Sequence, residues 1–507
     1  MPKMDTITTK KDTQTKYNIL VSILYQFVAA TVGLILPRFI LSAYGSEING
    51  IVQSVNQFLG YTVMLECGLG GMIAASFYKP LAYGDNNAIS DIFINTKKFF
   101  SKIVAIYFIF IIAFAMSSKL LIRTSYEIEF VSSLVFILGI SNYFSYYFAM
   151  SEQILLRADQ KIRVSQSLQM VAIILNAVVC IVMIKAGAGI HAMKIASGLC
   201  FLITPVGVKL FAKKHYSLAK VITDKSRKLP QKSDGLAHHI SFFIHSNTDM
   251  VIINIFKGVK EVSVYATYTM VTVAIGNFLK AIANGIAAKL GNIIAKDDNE
   301  NLNNTFEIYS SVNMALSTYA CIMLALFIVP FVRIYTDGIT DINYIRPVFA
   351  YILVAAEWVA FIRIPYATSI TSAGHYKQTK SGAIAEAVIN IGVSIILVCK
   401  IGISGVVLGT LIALSVRTIY FIWYLSRNIL KRPAFLFIKS AFINLALAIL
   451  IIFFINNRMF TKTNTIIGLL FEAIKATAIV LPVVVVVNIL ENKVLRKRLR
   501  LLFRVRK

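Results

Sequence analysis

Runs of about twenty mostly apolar residues recur along the whole chain, separated by short segments where Lys, Arg and small polar residues collect. A helix needs about 20 such residues to cross roughly 30 Å of hydrocarbon, so this pattern predicts membrane-spanning helices. Tyr17 to Pro37, Ile48 to Leu65, Phe130 to Ser151, Val164 to Ile184, Val262 to Leu279, Ile308 to Val332 and Ser440 to Asn457 contain no Asp, Glu, Lys or Arg. Weaker or interrupted runs near 99–117, 191–211, 236–256, 347–371, 382–400, 402–425 and 464–490 bring the expected number to about fourteen. The expected fold class is an all-α polytopic membrane protein.

Composition sharpens that reading. The chain has 507 residues, 57% hydrophobic and 15% charged, with mean hydropathy +0.72. Soluble domains are about 45–50% apolar and about 25% charged. A soluble multidomain enzyme and a secreted disulfide scaffold are therefore excluded. The net charge of +27 would suggest nucleic acid in a soluble chain. In a membrane protein it signals positive-inside loops and attraction to anionic lipid. The five cysteines lie in or beside apolar runs with no C-x-x-C and read as small core residues.

Segments 1–16, 79–98, 156–168, 209–232, 289–305, 372–382, 425–439 and 491–507 carry 34 Lys and Arg against eleven at the opposite ends of the spans. Both termini are thus expected in the cytoplasm. The polar, basic first sixteen residues and the absence of a small-residue cleavage site make the first run a retained span.

The loops carry an echo. Tyr83-Gly-Asp-Asn-Asn recurs as Asp297-Asp-Asn-Glu-Asn. Ala158-Asp-Gln-Lys, followed by Asn176, Lys185, Gly187 and Gly189, recurs as Ala373-Gly-His-Tyr-Lys with Asn390, Lys400, Gly402 and Gly405. A duplicated six-span unit accounts for both. The expected organisation is an N-lobe over 1–212, a basic cytoplasmic linker over 213–235 and a C-lobe over 236–430. Two further spans over 431–490 and a basic tail over 491–507 follow. Two parallel lobes suit a site between rocking halves.

Leu36-Pro-Arg-Phe-Ile, Tyr44-Gly-Ser-Glu-Ile-Asn-Gly, Gln57-Phe-Leu-Gly-Tyr and Leu65-Glu-Cys-Gly-Leu-Gly resemble the opening of bacterial Wzx-type oligosaccharide flippases. These belong to the multidrug/oligosaccharidyl-lipid/polysaccharide (MOP) exporter superfamily. The Ala373-Gly-His-Tyr-Lys loop and Asp249 resemble the same family. The resemblance implies a twelve-helix, two-lobed core with two extra helices and alternating access. It also implies a polyprenyl-pyrophosphate-linked oligosaccharide as cargo, for capsule, O-antigen or teichoic-acid synthesis in the bacterial cytoplasmic membrane.

An ionised side chain at mid-bilayer costs about 2.5–3.5 kcal/mol on insertion scales, so such residues face water, a partner or a substrate. Arg38, Lys194, Lys280, Arg363 and Arg417 form the expected cationic substrate-binding set, suited to a lipid pyrophosphate. Snorkelling at span ends and internal ion pairs, such as Arg363 with Glu357, are the structural alternatives. Asp249, Glu66, Glu357 and Glu386 are the ion-coupling candidates, with helix packing as the alternative for Glu66 beside Gly68, Gly70 and Gly71. Glu472 and Lys475 are spaced to pair along one helix, and Gly405 and Gly409 to permit close helix contact.

No cofactor or metal is expected beyond Na+ or H+ coupling or the membrane potential. No P-loop, metal-ligand cluster or nucleophile triad is present in the sequence, so the chain reads as a transporter and not an enzyme. Expected partners are the lipid-linked oligosaccharide, anionic membrane lipids, a polysaccharide polymerase and glycosyltransferases, with no nucleic acid. A monomer is expected. The competing function is a MATE-like cation-coupled drug antiporter, which would favour an acidic, aromatic cavity.

Overall fold

The computed structural model describes residues 3–61, 69–219, 248–456, 464–492 and 494–496. Every regular element of any length in it is an α-helix. In chain order these are α1 (Lys3–Gly60), α2 (Leu69–Tyr83), α3 (Asn86–Leu121), α4 (Ile128–Ala158), α5 (Ile162–Lys185), α6 (Ile190–Phe201) and α7 (Ile203–His215). Helical residues 248–257 form α8. Then come α9 (Val259–Ala295), α10 (Asn299–Tyr335), α11 (Pro347–Ser372), α12 (Lys380–Ile401), α13 (Ile403–Asn428), α14 (Phe435–Asn456) and α15 (Ile466–Glu491).

Among the described residues eleven helices are long and apolar enough to span a membrane, or twelve when the two parts of α4, bent by 42°, are taken as one span. The all-α polytopic class holds, and the count differs from fourteen for identifiable reasons. The expected first and second spans run together in α1, where Leu20–Gly60 is 41 residues long. At 1.5 Å per residue this is about 60 Å, twice the hydrocarbon thickness, and Gly45 breaks the helix at φ 79°. The expected seventh span, 236–256, is described only from residue 248. Helices also outrun the apolar runs: α9 continues past Leu279 through Lys280 and Lys289 to Ala295. Charged turns at a helix end lower hydropathy without ending the helix.

The chain divides into two compact units, Met1–Phe243 with Gly258–Ser263, and Ile244–Lys257 with Val264–Lys507. Of the expected linker, 213–235, only residues up to 219 are described. In unit 1, Ile73, Phe77, Phe93, Phe100, Ile154 and Leu155 form a core against which Tyr216 and Leu218 pack. The Tyr216 hydroxyl donates to Asp159, and the Ala219 amide to Ser90. Burial and the Asp159 carboxylate raise the Tyr216 pKa, so the phenol keeps its proton.

The first turn of α9 also belongs to unit 1. The Val259 amide donates to the Arg123 carbonyl at 3.2 Å, and the Asn49 amide to Ser263 Oγ at 2.7 Å. Glu47 accepts from Thr124 Oγ1, the Ser125 amide and Ser125 Oγ, with Lys260 3.8 Å away.

In unit 2, α14 and α15 are packed onto α10. Ile322 and Leu326 of α10 share a core with Ala448, Ile455, Val480 and Val484. Asn444 and Asn488 exchange amide hydrogen bonds between α14 and α15. Tyr319 and Thr477 bond at 2.9 Å, and the expected Glu472–Lys475 pair forms at 3.2 Å.

The echoed loops share backbone conformation as well as residues. Positive φ recurs at Gly45 and Gly258, Gly84 and Asp297, Gln160 and Gly374, and Gly187 and Gly402, pairs separated by 213 to 215 positions. Gln160 and Asp297 are not glycine, yet they hold φ of 55° and 52°, where an L side chain is disfavoured. Asp85 and Asp298, also 213 apart, each cap the following helix by accepting from the amide three residues on. Gly338 and Lys431 have positive φ without such a counterpart.

Candidate functional site

The polar centre of unit 2 starts from spacing on α12. Glu386, Asn390 and Ser394 stand four residues apart, which places them on one helix face, and all three are buried. The facing helix, α13, is stripped of side chains where the two meet. A Cβ at Gly409 would stand 2.7 Å from the Ser394 backbone nitrogen, and one at Gly405 would stand 2.9 Å from Leu397 Cβ. The expected close contact of Gly405 and Gly409 is thus realised between α12 and α13. Because backbone cannot yield there, Gly409→Val is expected to lower the melting temperature in detergent by several degrees, at an overpacking cost of about 1–3 kcal/mol. An unchanged melt would show that the helices can separate freely.

The close approach produces a ladder. Ser394 Oγ donates to the Val406 carbonyl at 3.1 Å, and Asn390 Nδ2 to Thr410 Oγ1 at 2.8 Å. Farther along the same face, Glu386 lies between two arginines. Its Oε1 accepts from Arg363 Nη1 at 2.6 Å, and its Oε2 is 3.8 Å from Arg417 Nη1. Arg417 is 3% exposed, and its guanidinium stands 4.3 Å from the Phe421 ring centroid. Its Nε and Nη1 make no hydrogen bond. This cluster of two cations and one anion keeps one positive charge in excess inside the helix packing.

Asp249 of α8 joins the ladder at Thr410. Its Oδ2 accepts from Thr410 Oγ1 at 2.7 Å and from the Tyr265 hydroxyl of α9 at 3.0 Å. Thr410 has one hydroxyl hydrogen, so accepting from Asn390 leaves that hydrogen for Asp249, and the three groups form a directed chain. Asp249 is buried, and its Oδ1 makes no hydrogen bond. Asn390 Oδ1 is likewise without a partner. The site therefore presents acceptor oxygens with no donor, beside the Val406 carbonyl that Thr410 also reaches at 3.2 Å. Carboxylate, hydroxyl and carbonyl oxygens are the donor set of hard cations. A proton on Asp249 would satisfy the same oxygens by other means. Among the described residues no three His, Cys, Asp or Glu side chains group as a metal site.

Glu357 of α11 accepts from Thr272 Oγ1 at 2.8 Å and lies within electrostatic range of Asp249 and Lys280. The expected pairing of Arg363 with Glu357 does not occur, since Arg363 binds Glu386 instead. Lys280 is exposed on α9. In unit 1, Arg38 is half-buried in α1 before the Gly45 break, and Lys194 is half-buried on α6 near Cys180. The structure thus gathers Arg363, Arg417, Glu386, Asp249 and Glu357 in one unit. Glu66, and His238, His239 and His245, lie outside the described residues. Tyr143 of α4 packs on Phe108 of α3.

Sequence reasoning missed Tyr265, Asn390 and Thr410 as members of the site. The four-residue repeat of Glu386, Asn390 and Ser394 in an apolar helix was the available signal.

No protein-family model and no curated protein sequence matches the chain. Solved structures do. A lipid II flippase MurJ in an inward closed conformation is similar at TM-score 0.72 and 15% identity, covering 93% of this chain and 99% of its own. An inward-facing MATE family multidrug transporter of the MOP superfamily is similar at TM-score 0.61 and 15% identity, covering 80% and 94%. A second MATE multidrug transporter is similar at 0.62 and 18%, covering 82% and 95%. The chain therefore has the fold shared by these flippases and exporters, and it is a multi-pass membrane protein of that architecture.

Proposed function

We propose that the protein is a flippase that carries a polyprenyl-pyrophosphate-linked oligosaccharide from the inner to the outer leaflet of a bacterial cytoplasmic membrane, in the manner of Wzx-type proteins. The observation that carries this reading is the extent of the likeness. Similarity to a lipid II flippase runs over 93% of the chain, against 80% to 84% for the MATE transporters. The excess cation of the Arg363–Glu386–Arg417 cluster agrees with an anionic cargo. With the cell interior negative, an anion moving outward gains about 2.3 kcal/mol per charge per 100 mV.

In this reading the N-lobe over 1–212 and the C-lobe over 236–430 are copies of one six-span ancestor, with two spans appended and both termini cytoplasmic. The recurring positive-φ positions and matched helix caps support the duplication. Arg38, Lys194, Lys280, Arg363 and Arg417 are the candidate cations for the pyrophosphate. Asp249 is the coupling acid, taking Na+ or H+ with Thr410, Tyr265 and Asn390.

The second reading, a cation-coupled drug antiporter, draws on that same Asp249 site. Equilibrium binding to the purified protein separates the two. The flippase reading expects a short polyprenyl-pyrophosphate oligosaccharide to bind without displacement by a lipophilic cationic drug. Drug binding with no affinity for the lipid would replace it with the antiporter.

A further inference from the structure

Unit 2 carries a second polar pocket, which the transport reading does not use. It encloses about 120 Å³ among α10, α11, the turn before α14, and the ends of α14 and α15. At about 30 Å³ per water this is room for roughly four waters, the size of a phosphate carrying a short ammonium-bearing arm.

Four charged side chains line it: Glu307, Arg432, Lys439 and Glu491. Among the described residues none of the four forms an ion pair with another or with any other side chain. Arg432 is held in place with its guanidinium 4.7 Å from the Phe306 ring centroid and lies close to the Tyr366 hydroxyl. Glu491 Oε2 accepts from Ser440 Oγ at 3.0 Å. The end of α15 is fastened to α10 where Asn492 donates to the Glu307 carbonyl at 3.1 Å and bonds Ser311. The pocket is therefore built by hydrogen bonds, yet it leaves two positive and two negative charges uncompensated by each other.

The apolar wall consists of Met314, Ile362, Leu436 and Phe437. On α14, which supplies Leu436, Phe437, Lys439 and Ser440 to the lining, Phe435, Ile438 and Phe442 are 66%, 58% and 71% exposed. In a spanning helix such a face meets acyl chains. Arg432, Lys439 and Glu491 sit at or near helix ends, where headgroups lie, and Glu307 stands about two turns into α10.

We infer that this pocket holds the headgroup of a zwitterionic phospholipid bearing a primary ammonium, its phosphate against Arg432 and Lys439 and its ammonium against Glu307 and Glu491. Two charges of each sign match a headgroup of no net charge. An anionic headgroup such as that of phosphatidylglycerol offers the two carboxylates hydroxyl donors but no positive charge, and it adds a net negative charge beside them. A choline headgroup has no N–H to donate to a carboxylate. The exposed α14 face selects a lipid over a soluble phosphoethanolamine.

Native mass spectrometry of the purified full chain tests this, after equilibration with phosphatidylethanolamine, phosphatidylcholine and phosphatidylglycerol in equal amounts. The expected result is one retained phosphatidylethanolamine, favoured over each of the others by about tenfold. Glu307→Gln and Lys439→Ala alter side chains without hydrogen-bond partners among the described residues. Each is expected to lower retention about fivefold or more with the thermal melt unchanged. Equal retention of the three lipids, or a preference for phosphatidylglycerol, overturns the assignment, as does retention that both variants leave intact. Displacement by excess soluble phosphoethanolamine would overturn the choice of a lipid occupant. Should either variant fail to fold, the ranking on the unaltered protein decides. That ranking is independent of which cargo the protein carries.

Discussion

Asp249→Asn abolishes the response of transport to an imposed ion gradient and lowers the initial rate about tenfold or more. Site couplings of about 1–3 kcal/mol correspond to roughly 5–150-fold. The reason lies in what surrounds the carboxylate. Two hydroxyls converge on Oδ2, from Tyr265 and Thr410, and Oδ1 receives no hydrogen bond. Among the described residues no Lys, Arg or His nitrogen lies within 4.0 Å of it. A buried carboxylate so placed needs a cation or a proton to complete it, and the amide of Asn cannot bind either with the same strength. Thr410→Val removes one neutral ligand and breaks the chain from Asn390 to Asp249, so it is expected to weaken coupling less than the loss of the charge. The assay is transport in proteoliposomes under a sodium gradient and, separately, a pH gradient. The arm whose effect disappears in Asp249→Asn identifies the ion. A variant that keeps its full response to both gradients rules Asp249 out.

The second large effect falls on stability. Glu386→Gln leaves Arg363 and Arg417 facing each other without the carboxylate that separates them, and removing one member of a buried ion pair costs about 3–5 kcal/mol. Arg417 is the more vulnerable, being 3% exposed against the 15% side-chain exposure of Arg363. The melting temperature of Glu386→Gln is expected to fall by several degrees. Adding Arg417→Met to Glu386→Gln removes the stranded cation and is expected to recover part of the loss. Additive effects of the two changes would show that the pair is not coupled.

The sequence revealed the membrane class because hydropathy over twenty residues is a direct physical requirement for spanning. Asp249 and Glu386 were legible as buried charges because a charge in an apolar run stands out. The partner of Arg363 was not legible. Glu357 is six residues away on the same helix, about 120° around the axis from Arg363 at 3.6 residues per turn, whereas Glu386 reaches it from α12. Cross-helix pairs depend on rotation about each helix axis, and that is set by packing such as the Gly405 and Gly409 contact. Thr410 and Tyr265 were hidden because hydroxyls are common in spans, where they usually bond to their own backbone, and the Val406 carbonyl lies within such reach of Thr410. The helix break at Gly45, like its counterpart Gly258, falls between two expected spans. Gln160 and Asp297 at positive φ could be anticipated only from the loop echo, since neither residue demands that conformation.

Leaflet translocation tests the central claim most directly. The purified protein is reconstituted in liposomes with a labelled polyprenyl-pyrophosphate oligosaccharide in one leaflet, and the label appearing in the other is followed with and without an ion gradient. The account predicts movement that depends on the protein, responds to the gradient through Asp249 and is insensitive to a cationic drug. Efflux of the drug with the lipid left in place would contradict it.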